Sequence, residues 1–248
     1  MFRPIRIASL LAVAGVAAAC GRSETDKPVD STTTAGTTTT ISGKTASARG
    51  TSLVRLVNAF PATKNIDVTV NGQVVFAKVA AHTVTAYVEI ESNRPQFAMR
   101  GAGKDSTMAE NGEIVMDGRR YTAVALPKKD GTSALRLWRD DLVPDSGKAR
   151  VRIIHAAPGI EDVKVGIVGQ TDPLFSSIGY ANEAGFKDVL PAEIVLVVRR
   201  MTEGTPALTL KSMHLVAGHA YTIVLVTTKG NLDSITFEDG GQGTVASR

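Results

Sequence analysis

Val54-Arg55-Leu56-Val57-Asn58-Ala59-Phe60-Pro61 returns further along the chain as Val151-Arg152-Ile153-Ile154-His155-Ala156-Ala157-Pro158, at an offset of 97. The offset still holds at Gly72-Gln73 against Gly169-Gln170. Later, Gly118-Arg119-Arg120-Tyr121-Thr122 matches Gly218-His219-Ala220-Tyr221-Thr222 at an offset of 100. Two separated matches in the same order, with small insertions between them, mark a duplication. Each copy is domain-sized rather than solenoid-sized. Between them, Leu142-Val143-Pro144-Asp145-Ser146-Gly147 carries turn-forming residues and reads as the seam.

Within each copy the apolar period is two. Ile66-Asp67-Val68-Thr69-Val70 alternates, as does Val163-Lys164-Val165-Gly166-Ile167, the pattern of a strand with one face on a core. Asn71-Gly72 between apolar runs predicts a type I′ hairpin, in which both central residues take positive φ. The second copy has Val168-Gly169 there and a longer polar insertion. Further strands are expected over 86–90, 96–100, 114–116, 121–126 and 135–139. In the second copy they are expected over 185–189, 194–200, 208–214, 221–227 and 234–238. Frequent turns and no long helical pattern predict an all-β chain: two tandem antiparallel β-sandwiches. Parity points Val54, Leu56, Val151 and Ile153 inward and puts Arg55 and Arg152 on an outer face.

The 248 residues include one Cys, which rules out an internal disulfide and any multi-thiolate zinc site. Arg3 and Arg6 precede an uncharged run from Ile7 to Ala19 that is shorter than the roughly 20 apolar residues of a spanning helix. It suits the apolar region of an export signal. Val16-Ala17-Ala18-Ala19-Cys20 resembles the bacterial lipobox, with Ala17 in place of the usual Leu. The expectation is a signal over 1–19 and a lipid-bearing Cys20. Gly21 is not the Asp that marks inner-membrane retention, so the expected destination is the outer membrane. Nine Thr and four Ser crowd residues 21–50, too polar to repay ordering. Residues 20–50 are read as a tether with an r.m.s. span of about 30 Å. Two sandwich units over 51–145 and 146–240 and a disordered tail over 241–248 complete the plan. Without Arg3 and Arg6 the formal charge falls from +4 to +2, a slight bias toward acidic partners.

The opening Val-Arg-x-x-[His/Asn]-Ala-x-Pro, the Asp-Val-x-Val strand and the late Gly-x-x-Tyr-Thr strand resemble domain-of-unknown-function family 4397, over 53–139 and 149–238. Unit 1 departs from the pattern at Asn58 and Phe60. The resemblance implies an immunoglobulin-like or transthyretin-like sandwich in secreted and lipid-anchored envelope proteins, often in tandem. It implies no activity.

No metal spacing, nucleophile elbow, P-loop or dinucleotide fingerprint occurs. Gly101-Ala102-Gly103-Lys104-Asp105-Ser106 reads as a hairpin loop. His155 is the residue with most chemistry: either a ligand or proton-transfer group, or a side chain that closes the turn, as Asn58 could. Tyr221, like Tyr121, either binds a ring or ties a corner with its hydroxyl. Trp138 is either a binding aromatic or a plug between the units. Asp140-Asp141 and Glu238-Asp239 are expected to be solvated strand ends. His155, Tyr221 and Trp138 thus stand as candidate binding residues, with no catalytic residue, metal or cofactor expected. The sequence predicts a non-catalytic envelope lipoprotein that binds or scaffolds, its partners the membrane and an envelope protein or glycan, with no role for nucleic acid. The alternatives are a hydrolase with its site between the units and a surface adhesion or glycan-binding module.

Overall fold

The computed structural model describes residues 50–61, 64–140, 142–202 and 205–239. The expected export signal, Cys20, nearly all of the expected tether, Asp141 and the expected C-terminal tail lie outside the described residues.

The first repeat contains β1 (Thr51–Asn58), β2 (Ile66–Val70), β3 (Gln73–Val79), β4 (Val88–Glu91), β5 (Phe97–Gly101), β6 (Thr107–Asn111), β7 (Arg120–Pro127) and β8 (Ser133–Arg139). The second contains β9 (Ala149–His155), β10 (Val163–Ile167), β11 (Pro173–Ile178), β12 (Glu183–Val189), β13 (Glu193–Ile194), β14 (Leu196–Arg200), β15 (Pro206–Thr209), β16 (Met213–His214), β17 (Ala220–Thr228) and β18 (Asn231–Asp239). Each repeat stacks two four-stranded sheets: β4-β1-β7-β8 on β3-β2-β5-β6, and β12-β9-β17-β18 on β11-β10-β14-β15. The described residues are all-β, as predicted.

The duplication is exact in register where it matters. β1 pairs with β7 so that Val54 faces Tyr121 and Arg55 faces Thr122. β9 pairs with β17 so that Val151 faces Tyr221 and Arg152 faces Thr222. These two pairings are parallel, and the remaining ladders are antiparallel. The Asn71-Gly72 hairpin takes the expected geometry, with φ of 50° and 83° and Val70 opposite Gln73.

Several strand expectations need correction. Residues 114–116 form only a single bridge, Asn93 to Val115. The run 208–214 breaks into β15 and β16, and 194–200 breaks at Val195 into β13 and β14. β6 and β11 were not expected. β6 reads Thr-Met-Ala-Glu-Asn, without apolar alternation, and β11 opens on Pro173. Both are sheet-edge strands, where burial imposes little pattern.

Each sandwich has its own core. Val54, Leu56, Val68, Met99 and Ala123 meet in the first; Val151, Ile153, Val165, Val198 and Ile223 meet in the second. A third cluster lies between the repeats: Val57, Ala59, Val124 and Leu126 meet Ile154, Ala156, Val224 and Val226. The sheets containing β1 and β9 therefore pack face to face, and the body has four layers. This corrects the reading of Arg55 and Arg152. Parity does turn them away from their own cores, yet the outer face is covered by the other repeat, and both are buried.

The two repeats point the same way. Arg152 reaches Asp140 and Arg55 reaches Asp239 at the end where β1 and β9 begin. At the opposite end, Lys129 in the β7–β8 turn stands 6.0 Å from the Tyr180 ring of the second repeat. The chain thus enters each repeat at one basal end. The Asn58 and His155 turns lie at the distal end.

Candidate functional site

The strongest concentration of chemistry is a closed hydrogen-bonded ring across the seam. Arg152 Nη2 donates to Asp140 Oδ1 at 2.7 Å. Thr122 Oγ1 also donates to the Asp140 carboxylate, whose oxygens lie 2.8 and 2.9 Å away. Thr122 in turn accepts from Arg55 Nε at 2.9 Å. Arg55 Nη2 donates to Asp239 Oδ1. Thr222 Oγ1 donates to Asp239 Oδ2 at 2.7 Å and accepts from Arg152 Nε at 3.1 Å. Each repeat supplies one Arg, one Thr and one Asp, and each Arg hydrogen-bonds its own Thr but the other repeat's Asp. Arg55 lies 3.8 Å from its own repeat's Asp140, and Arg152 lies 3.9 Å from Asp239.

The surroundings complete the ring. Tyr87 donates its hydroxyl proton to Asp140 Oδ2 at 2.7 Å, and Arg152 Nη1 donates to Glu183 Oε2 at 3.3 Å. The Arg55 guanidinium stacks 4.3 Å from the Phe237 ring centroid, and that of Arg152 stacks 4.4 Å from Phe186. Two cations and two anions out of water would cost several kcal/mol each if left unpaired. Here every charge has an opposite charge and hydrogen bonds in place. Burial, then the neighbouring Asp140 charge, raises the Tyr87 pKa and keeps it a donor. Burial also raises the Glu183 pKa, opposed by Arg152. The expected solvated strand ends are therefore corrected: the side chains of Asp140 and Asp239 are fully buried. The cluster's chemistry is turned inward, toward holding the repeats together.

The three candidate binding residues do not converge. His155 ends β9 at the distal end with no exposed surface. Its Nε2 lies 3.1 Å from Glu161 O, and its Nδ1 accepts the Ala157 N–H at 3.3 Å. This fixes the tautomer with the proton on Nε2. Asn58 makes the matching pair of bonds: Nδ2 donates to Lys64 O at 2.9 Å, and Oδ1 accepts the Phe60 N–H at 3.1 Å. Burial lowers the His155 pKa, partly offset by the Glu161 carbonyl and Asp162. Tyr221 points into the second core and its hydroxyl accepts the Val216 N–H at 3.1 Å. Tyr121 does the same for Met116 at 2.9 Å. Trp138 is partly buried against the cluster between the repeats.

A concavity of about 700 Å³ lies beside the Asn71-Gly72 hairpin, lined by Glu89, Ser92, Asn93 and Arg94 among others. None of the three candidates lines it. Among the described residues, no group of three or more His, Cys, Asp or Glu could hold a metal ion. Residues 101–106 join β5 to β6 as a hairpin loop, with Asp67 Oδ2 accepting the Gly103 N–H at 3.0 Å.

Sequence reasoning missed the ring. Its signal was present: Arg55, Thr122 and Asp140 recur as Arg152, Thr222 and Asp239. A charged residue repeated at an alternating position of two otherwise apolar strands could have flagged a shared face.

Residues 52–166 match the family described as "Domain of unknown function (DUF4397)". The match spans the first repeat, β9 and most of β10. No curated protein matches the chain significantly. Among solved structures, the C-terminal domain of AlgF from P. aeruginosa is similar over 37% of this chain and 98% of its own, at 15% identity and a TM-score of 0.30. The CBM26 module of Eubacterium rectale Amy13K, solved in complex with maltoheptaose, aligns over 77% of this chain and 98% of its own, at 10% identity and a TM-score of 0.26. A putative cell adhesion protein from Bacteroides fragilis aligns over 78% and 98%, at 8% identity and a TM-score of 0.23.

Proposed function

We propose that the chain, whose residues 52–166 match the DUF4397 family of domains of unknown function, is a non-catalytic lipoprotein of the bacterial envelope. It is held at Cys20, in the outer membrane, and presents two fused sandwiches to an envelope protein or glycan. The observation that supports this reading is the ring joining Arg55, Asp239, Arg152 and Asp140. It locks two repeats into one body with its chain entry at one end and its Asn58 and His155 turns at the other. Two repeats joined in one body, about thirty residues from the proposed anchor, suit presentation. His155, Tyr221 and Asp140 are engaged in fold-closing bonds, which leaves them poorly placed to form a nucleophile, a base and an oxyanion site at one point.

Two measurements test the reading together. The intact mass of the native mature protein should show a diacylglyceryl modification on a chain beginning at Cys20, and Cys20→Ser should leave unprocessed or mislocalised product. The purified protein should turn over no ester, phosphoester, peptide or glycoside substrate above a heat-treated control. A mature chain without lipid at Cys20 removes the anchor. Turnover that disappears in His155→Asn with the fold intact replaces the binding role with an enzyme.

A further inference from the structure

We infer that the basal end of the body is a membrane-resting surface, which inserts aliphatic side chains into the phospholipid headgroup region beneath it. The inference rests on the proposed anchor at Cys20 for the direction in which the tether leads. Each sandwich is closed at this end by a segment with one buried plug, Val115 in the first repeat and Leu215 in the second. Backbone alternation turns the plug's neighbours outward. Ile114 is 61% exposed, and Met116 and Val216 are also exposed.

Other exposed aliphatics join them. Val143 follows β8 in the seam and is 78% exposed, and Leu190 follows β12 and is 74% exposed. Val168 sits in the β10–β11 turn, its N–H donating to Val195 O beside β13. These six are among nine large exposed apolar residues in the described chain, so the apolar surface is concentrated at one end. Met201, by contrast, donates its N–H to Asp162 O at the distal end.

The chain enters at the same place. Gly50 O accepts the Ser92 N–H at 2.8 Å, and a Cβ on Gly50 would run into the Asp117 side chain. The tether thus joins the body beside the loop that carries Ile114 and Met116. With the proposed anchor at Cys20 only about thirty residues from the body, the local concentration of membrane is in the millimolar range, so a weak surface affinity suffices to seat the body. The aliphatics stand on separate loops, as tips rather than as one flat patch, which suits shallow insertion into an interface. Charge at this end is mixed, with Asp117 and Asp145 beside Arg119 and Lys148, and Lys148 pairs with Asp145 at 3.2 Å. The contact is therefore apolar in origin, and salt should not release it.

The test couples the mature chain through its Cys20 thiol to a maleimide-bearing lipid in phosphatidylethanolamine–phosphatidylglycerol vesicles with brominated acyl chains. Leu190→Trp and Met201→Trp report the two ends, with the Trp138 background taken from the unsubstituted chain. Quenching at Leu190→Trp should be at least about twofold greater than at Met201→Trp and persist in high salt. Adding Ile114→Ser and Met116→Ser should reduce it while leaving the circular dichroism unchanged. Equal quenching at both ends, no quenching at Leu190→Trp, or no effect of the serine substitutions overturns the inference. The chemical coupling works whether or not Cys20 is lipidated in the cell. Failure of the anchor, read from the native intact mass, is therefore distinct from failure of the surface.

Discussion

Arg152 and Asp140 meet across the seam of the duplication, Nη2 to Oδ1 at 2.7 Å, with neither side chain exposed to solvent. They come from different repeats, and the equivalent contact joins Arg55 to Asp239. The exchange gives each Arg its shortest carboxylate contact from the other repeat, with its own repeat's Asp farther away at 3.8 or 3.9 Å. Asp140→Ala should therefore destabilise the protein by about 3–5 kcal/mol, because it takes from the buried Arg152 guanidinium its shortest ion pair and leaves Glu183 at 3.3 Å and Asp239 at 3.9 Å as its remaining carboxylates. Asp239→Ala should cost the same by pseudo-symmetry. Replacing the pair with apolar residues, Arg152→Met with Asp140→Leu, should cost less than Asp140→Ala alone. Urea midpoints of the variants check the order, and a double variant no better than the single one contradicts it.

The two corner tyrosines give a smaller, paired prediction. Tyr121 and Tyr221 each accept one backbone N–H, from Met116 and Val216. Tyr121→Phe and Tyr221→Phe keep the ring in the core and leave that N–H without its partner. Each should lose about 1–3 kcal/mol, with faster hydrogen exchange at the Met116 or Val216 amide of the altered repeat. A loss below the error of the measurement in both would remove the hydroxyl from the account of these loops.

His155 carries a pH dependence whose sign follows from its burial. Its folded pKa lies below the ordinary value near 6.5. Between the two values the unfolded chain binds more protons than the folded one, so stability falls as pH drops through about 6.5 toward the folded pKa. Asn58 makes the same two backbone bonds without a titrating group. His155→Asn should keep the fold and flatten the dependence between pH 8 and pH 5. The readout is the difference in urea midpoint between wild type and variant at each pH. Parallel curves for the two proteins would show that His155 does not contribute.

The parts of the fold legible in sequence are those where one face is buried and a turn demands a particular residue. Ile66–Val70 alternates because only one of its faces meets a core, and Asn71-Gly72 announces its hairpin through positive φ. β1, β7, β9 and β17 carry a different signal, since they are buried on both faces. Two-sided burial makes Val57 and Ile154 look like ordinary strand residues, although they belong to the cluster between the repeats. Arg55 and Arg152 looked solvated because charge on an alternating position normally means water. Asp239 lies 184 residues from Arg55, and Asp140, only 12 residues before Arg152, stands across the seam in the other repeat, so neither pairing follows the alternation within a strand. Edge strands β6 and β11 were invisible for the opposite reason, too little burial.

The shared face also bears on how the body unfolds. From sequence, each repeat was expected to be a separate sandwich, yet Val57, Val124, Ile154 and Val224 form one cluster between the two. Pulling the repeats apart would expose these side chains, each worth about 1.5–3 kcal/mol, and open the ion ring to water. The second repeat should therefore not survive loss of the first under native conditions, and the body should unfold as one cooperative unit. Leu56→Ala offers the test, because Leu56 lies wholly in the first core. It should cost about 2–5 kcal/mol. If the unit is single, the loss should appear equally in the slowest-exchanging amides of both repeats, at Val68 in the first and at Val165 and Val198 in the second. If only Val68 and its neighbours accelerate, the repeats unfold independently, and the cluster and ring do not couple them.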